Sequence, residues 1–307
     1  WRNIFTDATL QSLIEEGLAN NTDLGVARLR TEEAKATLQA SKMSFFPSAS
    51  LSVEGTISGN DGNTTKSLLV GPSVGWELDI FGKNRNTKEA AKAALAYAEA
   101  NSQSVQTNLI ATIAESYFTL LMLDEQLDIS RRTLKTWEEN IRTLSALKQA
   151  GKTNEASVLQ AKANRLKVEG SVLTMEKQIV LQENSLFSLL GTMPRQLSRG
   201  KLSEQQFPNS LAVSVPIRVL SNRPDVRQAE YSLMEAFYLT NEARAMFYPS
   251  LSLSGMLGWK KSSGGGIDNP GAWLFNAIGE LMQPLFNRGA NISRLKIAKA
   301  RQEEALL

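Results

Sequence analysis

The run Phe46-Pro47-Ser48-Ala49-Ser50-Leu51-Ser52-Val53-Glu54-Gly55-Thr56-Ile57-Ser58 changes the period of the chain. Ala49, Leu51, Val53, Gly55 and Ile57 alternate with Ser48, Ser50, Ser52, Glu54, Thr56 and Ser58, and a period of two sends the two sets to opposite faces of a strand. Upstream, over 6–42, the period is helical: Leu10, Leu13, Ile14, Leu18, Leu24, Ala27, Ala34 and Leu38 recur at three- and four-residue steps, with Thr6 and Asp7 suited to the N-terminal end. Downstream, a polar turn over 59–65 leads back into alternation. Leu68, Val70, Val74, Trp76, Leu78 and Ile80 share one face and Ser67, Ser73, Glu77 and Asp79 the other. Two strands are expected, over 46–58 and 67–80, with a local irregularity at Pro72, which has no N–H for the ladder.

Residues 84–150 then contain neither Pro nor Gly, and as one helix would span on the order of 100 Å. Gly151 stops this helix, and Thr153 is placed to cap a second one whose first turn carries Glu155. A helical hairpin over 84–190 follows. In its return arm Leu159, Leu166, Leu173, Val180 and Phe187 keep heptad spacing beside a second stripe of Val158, Val172, Ile179 and Leu186, which predicts helices on both sides. Pro194, Gly200, Pro208 and Pro216 break the pattern over 191–222, an irregular connecting region.

The chain then repeats itself. Asp23-Leu24 and Phe46-Pro47-Ser48-Ala49-Ser50-Leu51 are echoed by Asp225-Val226 and Tyr248-Pro249-Ser250-Leu251-Ser252-Leu253 at one shared offset of about 202 residues, a sign of duplication. Two further strands are expected over 247–260 and 272–286, separated by a Gly-rich loop. Phe286-Asn287-Arg288-Gly289 opens a helix as Phe81-Gly82-Lys83 does. The chain divides into a first repeat, 1–190, the connecting region 191–222, and a second repeat, 223–307. By repeat logic about 80 residues of a second hairpin are expected beyond Leu307.

Composition limits the chemistry. The chain has no Cys and no His, which removes disulfides, thiolate nucleophiles, Cys/His zinc sites and imidazole acid–base catalysis, so no enzyme, metal site or cofactor is expected. The net charge of +3 comes from Lys and Arg interleaved with Asp and Glu, with no basic block that would suit nucleic acid. Gly264-Gly265-Gly266 lacks the Lys-Ser/Thr of a phosphate loop and reads as an external loop. No run of about 18 apolar residues is present to cross a membrane as a helix, so any insertion must use strands.

Four alternating strands fit a soluble sheet on a core, as in a periplasmic coiled-coil scaffold or tether. Strands of about 12 residues carrying Trp76, Trp259 and Trp273 also fit a barrel with interfacial aromatics. Four strands cannot close, and lipid tolerates no open edge, so several copies are needed; two give eight strands and three give twelve. Ser50, Ser52, Glu54, Glu77, Asp79, Ser252 and Ser254 would then line a wet lumen. Glu77 and Asp79 fit that role better than a catalytic carboxylate pair. The long helices would continue the β-barrel as an α-barrel.

Trp1-Arg2-Asn3-Ile4-Phe5-Thr6-Asp7, Asn21-Thr22-Asp23-Leu24, Trp76-Glu77-Leu78-Asp79-Ile80-Phe81-Gly82, Asn222-Arg223-Pro224-Asp225-Val226, Phe247-Tyr248-Pro249-Ser250-Leu251-Ser252-Leu253 and Pro284-Leu285-Phe286 together resemble the TolC/OprM-type outer-membrane factors of tripartite efflux pumps, in order and over nearly the whole chain. The resemblance implies a mixed α and β membrane protein: a homotrimer with a twelve-stranded barrel in the Gram-negative outer membrane and an antiparallel α-helical tunnel in the periplasm. It implies an equatorial region at 191–222, and a periplasmic adaptor (membrane fusion protein) and an inner-membrane transporter, often of the RND class, as partners. It places the adaptor contact at the tip formed by Gly151, Lys152, Thr153, Asn154 and Glu155, and makes Pro47, Pro249 and Pro284 the barrel-to-tunnel junction. A lipidated Cys, common in the OprM-like branch, would precede Trp1. Drugs and metal ions pass through such conduits, with selection in the pump.

Overall fold

The computed structural model describes residues 1–60, 63–205, 220–262 and 272–307. In chain order the elements are α1 (Ala8–Asn20), α2 (Thr22–Met43), β1 (Ser48–Asn60), β2 (Asn63–Leu78), α3 (Lys83–Gln149), α4 (Glu155–Leu190), a 3₁₀ turn (Leu202–Glu204), α5 (Pro224–Ala245), β3 (Ser250–Ser262), β4 (Ala272–Met282) and α6 (Ala290–Leu306). No helix among the described residues is long and apolar enough to cross a membrane. Two compact units are each assembled from separated stretches, 1–28 with 102–217 and 29–101 with 218–307, so they do not follow the repeat boundaries.

In the first unit Asp7 is the N-cap of α1, its Oδ1 accepting from the backbone N–H groups of Thr9 (2.8 Å) and Leu10 (3.2 Å). The single helix expected over 6–42 is in fact two. Asn21 leaves the helix with φ −62° and ψ 128°, and its Oδ1 accepts from Leu24 N–H (2.9 Å) to cap α2. Its Nδ2 donates to the Leu189 carbonyl at 2.8 Å, tying the break to α4. The core joins Leu10 and Ile14 of α1, Tyr117, Leu120 and Leu121 of α3, and Leu186, Phe187 and Leu190 of α4, all fully buried. Each such side chain contributes about 1.5–3 kcal/mol by leaving water. Along α4, Val158, Val172, Ile179 and Leu186 are buried, whereas Leu159, Leu166, Leu173 and Val180 are more than half exposed. Of the two stripes the single chain buries one throughout and the other only at Phe187.

Residues 191–205 form an extended strap. The Arg195 guanidinium donates to both Glu16 oxygens (3.0 and 2.6 Å), and Arg199 donates through Nε and Nη2 to Asp124 (2.7 and 3.0 Å) and through Nη1 to Glu183. The rest of the expected connecting region, residues 206–219, lies outside the described residues.

In the second unit the strands form one antiparallel meander, β1-β2-β3-β4, whose edges are β1 and β4. Strand ends differ from the expected ones by a few residues, for visible reasons. The N–H groups of Phe45 and Phe46 still donate to the Lys42 and Met43 carbonyls in a turn, so β1 begins at Ser48. β2 stops at Leu78, where Ile80 N–H turns back to the Leu78 carbonyl, and β4 stops two residues short of Pro284. The irregularity at Pro72 lies on one side only. β1 pairs through Leu51 with Pro72, but the β2–β3 ladder has no pair at Gly71 or Pro72. There the backbones of Gly71 and Gly258 meet: a Cβ on Gly71 would sit 2.4 Å from Gly258 Cα, and one on Gly258 2.5 Å from the Val70 carbonyl oxygen.

Beside the sheet, α5 and α6 pack through the buried Thr240, whose Oγ1 donates to the Ala298 carbonyl (3.2 Å), and through Asn291 Nδ2, which donates to the Met246 carbonyl (3.0 Å). Gly82 (φ 78°) and Gly289 (φ 77°) open α3 and α6 in the same left-handed backbone state, so matching sequence positions carry matching geometry.

Candidate functional site

The register divides the sheet cleanly on one side. Ala49, Leu51, Val53, Gly55 and Ile57 of β1 align with Val74, Pro72, Val70, Leu68 and Lys66 of β2. Trp76, Val74 and Val70 align with Leu253, Gly255 and Trp259 of β3, which oppose Gly279, Ala277 and Trp273 of β4. This face is apolar along most of its height. It is also uncovered: Leu51 is 75% exposed, Val53 67% and Phe275 76%.

The opposite face carries Ser50, Ser52, Glu54, Glu77, Ser252 and Ser254. Ser50 and Ser52 share hydrogen bonds with Ser73 Oγ (2.8 and 2.9 Å), and Glu77, Ser252 and Glu280 lie in one row across three strands. Leu69, Met256 and Ile278 interrupt it, so it is polar without being purely so. Asp79, expected on this face, lies beyond the end of β2. Its two carboxylate oxygens accept from the N–H groups of Asn84 (2.9 Å) and Arg85 (2.8 Å), the natural place for an anion at a helix N-terminus. Glu77 pairs with Lys83 at 2.9 Å.

Where strands meet helices, Trp76 Nε1 donates to the Phe45 carbonyl (2.9 Å), and Phe81 stacks on Tyr248 with centroids 5.1 Å apart. Pro47 and Pro249 immediately precede β1 and β3, and Pro284 follows β4. Trp259 and Trp273 are paired in register near the other end of the strands.

At the hairpin tip, Gly151 (φ 71°) closes α3 with Gly151 N–H on the Lys148 carbonyl (2.9 Å) and Lys152 N–H on that of Leu147 (2.8 Å). The cap of α4 is Asn154, whose Oδ1 accepts from Ser157 N–H at 3.0 Å; the expected cap, Thr153, is one residue early. Lys148 and Glu155 form an ion pair across the tip. Gly151, Lys152, Asn154 and Glu155 are exposed.

Titration in the first unit follows its polar contacts. Burial pushes the Asp7 carboxyl up, but hydrogen bonds from Gln205, Tyr117, Leu10 and Thr9 outweigh it and hold the group below its ordinary value. Tyr117 is pushed up to about 12, by burial first and then by its bond to Asp7 (2.8 Å). Burial opposes the Arg199 charge, and Asp124 and Glu183 more than offset it, so the guanidinium is held more firmly charged. The sequence reading missed these anchors of the strap. Only the surplus of Arg in a Pro/Gly-rich connection hinted at them.

The chain matches a family model described as outer membrane efflux protein over residues 13–192 and 215–307. It is similar to the cation efflux system protein CusC of Escherichia coli, 30% identical over 100% of this chain and 68% of the relative. It is also similar to the toluene efflux pump outer membrane protein TtgC of Pseudomonas putida, 30% identical over 99% of this chain and 65% of the relative. Among solved structures, the outer-membrane channel OprN superposes with a TM-score of 0.92 at 29% identity, over 100% of this chain and 71% of that one. An exposed apolar sheet face backed by a polar one, a helical hairpin with one stripe unsatisfied, and matches that run the length of the chain agree: this chain belongs to the outer membrane efflux protein family.

Proposed function

We propose that the chain is the channel subunit of a tripartite efflux system, a passive conduit in the outer membrane of a Gram-negative cell with no catalysis of its own. The observation that carries this reading is the bare apolar face of the sheet. In water, leaving Leu51, Val53, Ile57 and Phe275 exposed forfeits about 1.5–3 kcal/mol per side chain, so a soluble scaffold would cover them; in lipid they are at rest.

The free edges of β1 and β4 support closure by further copies. Three copies make a twelve-stranded barrel, and the exposed α4 stripe of Leu159, Leu166, Leu173 and Val180 supplies the helical seam between protomers. On this reading Ser50, Ser52, Glu54, Glu77, Ser252 and Ser254 face the lumen. Trp76, Trp259 and Trp273 sit at the lipid interfaces, and Pro47, Pro249 and Pro284 mark the junction with the tunnel. The tip of Gly151, Lys152, Thr153, Asn154 and Glu155 meets a periplasmic adaptor, which couples the conduit to an inner-membrane transporter. A cargo does not follow from identity alone, since relatives named for cations and for toluene are both 30% identical.

The test is the mass of the protein in detergent with and without boiling, followed by conductance in a planar bilayer. A heat-sensitive trimer that conducts is expected; a monomer that stays in solution without detergent and does not conduct would refute the reading.

A further inference from the structure

Beside the sheet, α5 and α6 enclose a groove of about 990 Å³ that mixes apolar and charged side chains. Ala236, Leu239, Ala243, Ile297 and Ala298 give it an apolar lining. Glu235, Glu242 and Glu304 set three carboxylates against the guanidinium groups of Arg294 and Arg301, so one negative charge is left over. Burial holds the Glu242 carboxyl above its ordinary value, although Arg294, Lys83 and Thr87 draw it down. Glu235 has no such help. Burial alone acts on its carboxyl and pushes it up, and it has no hydrogen bond or ion pair among the described residues. The first repeat carries no equivalent. With Gly82 matched to Gly289 and Asp23 to Asp225, α2 and α3 place Ala40, Tyr97, Thr87 and Ala94 where the groove has Glu242, Glu304, Arg294 and Arg301. Only Glu235 has a charged counterpart, the exposed Glu33.

Met246 and Arg294, at the end of the groove nearest the sheet, also line a recess with Glu77 and Lys83. Glu77 belongs to the polar face of the sheet and pairs with Lys83, so the groove opens on the side of that face. In a closed ring this is the inner wall, where the tunnel meets the barrel. A small metal ion does not suit the groove: hard cations take about six or more oxygen ligands, and one free carboxylate among alkyl side chains does not supply them. A cation that carries its own apolar surface does. It gains by covering Leu239 and Ile297, and it gives Glu235 the counter-charge that no side chain provides.

We propose that the α5–α6 groove is a transit site for amphiphilic organic cations, with Glu235 as the counter-ion and Leu239 and Ile297 as the apolar contact. The site rests on the conduit reading above, since only a closed ring turns this face toward the passage. Glu230 supplies an internal control, because it lines a separate groove with Met234 and Phe237 on the other side of the same helix pair.

The full-length protein in lipid nanodiscs is titrated calorimetrically with benzyltriethylammonium, with benzenesulfonate as an aromatic anion and with tetramethylammonium as a cation of little apolar surface. Empty nanodiscs give the background, and oligomer mass and bilayer conductance are recorded on the same preparations. Benzyltriethylammonium is expected to bind more tightly than either of the others. Its dissociation constant should rise about ten-fold in E235Q, about three-fold in I297N, which alters an exposed side chain, and not at all in E230Q. Equal binding of the aromatic anion, unchanged binding in E235Q or I297N, or an equal loss in E230Q would overturn the site, while a conducting oligomer leaves the channel reading standing. Failure to insert or conduct would overturn both.

Discussion

The helical unit and the sheet use the same kinds of apolar residue and treat them in opposite ways. Leu10, Ile14, Tyr117, Leu120, Leu186 and Phe187 are sealed among three helices, whereas Leu51, Val53, Ile57 and Phe275 stand bare on a sheet that nothing covers. The residues do not differ in hydrophobicity; their intended solvent does. The helices make their own interior, and the sheet relies on lipid to serve as one. The exposed α4 stripe sits between these cases, bare in one chain and suited to a second.

Substitutions can break or sharpen that contrast. The largest effect is expected from Phe187→Ala, which empties a sealed site and should cost about 3–5 kcal/mol, read by thermal melting of helical circular dichroism. Val53→Arg should cost about 2–4 kcal/mol when folding is measured from urea into vesicles, and almost nothing if that face met water instead. Asp7→Asn removes a charged cap and weakens the Tyr117 and Gln205 bonds, for about 1–2 kcal/mol at neutral pH. Because the folded carboxyl is held low, the wild-type advantage is fully present above the ordinary Asp value and fades as pH falls through the lower folded one, so the two stability–pH curves should converge in acid. Smallest in one chain is Leu173→Gln, which should leave the melting of an isolated subunit within about 0.5 kcal/mol of wild type. It should nevertheless lower the temperature at which the oligomer dissociates in detergent.

How much of this was legible depended on how local each signal was. Period-two alternation in Leu51-Ser52-Val53-Glu54 fixed the strands and their faces, and the long stretch without Pro or Gly gave α3 nearly to the residue. The Asn21 break was hidden because apolar spacing runs on from Leu18 to Leu24 without a lapse, although Asn21-Thr22-Asp23-Leu24 has the form of a cap. Thr153 and Asn154 are both competent caps, and sequence cannot say which turns first. Asp79 looked like a strand residue because Ile80 continues the alternation, yet its carboxylate closes the next helix. Pro72 was readable as a disturbance, but the Gly71–Gly258 approach that accommodates it joins residues far apart in the chain. The same distance concealed the bonds from Tyr117 and Gln205 to Asp7, and those from Arg199 to Asp124 and Glu183.

The unpaired edges of β1 and β4 bear on inheritance as well as on folding. If closure takes three copies, every ring is a draw of three subunits from one pool, and a variant that pairs normally but blocks the passage spoils each ring it enters. With equal amounts of sound and blocked subunits, only about one ring in eight would be wholly sound. A single faulty copy of the gene would then act dominantly, and the dose–response of mixed expression would be cubic.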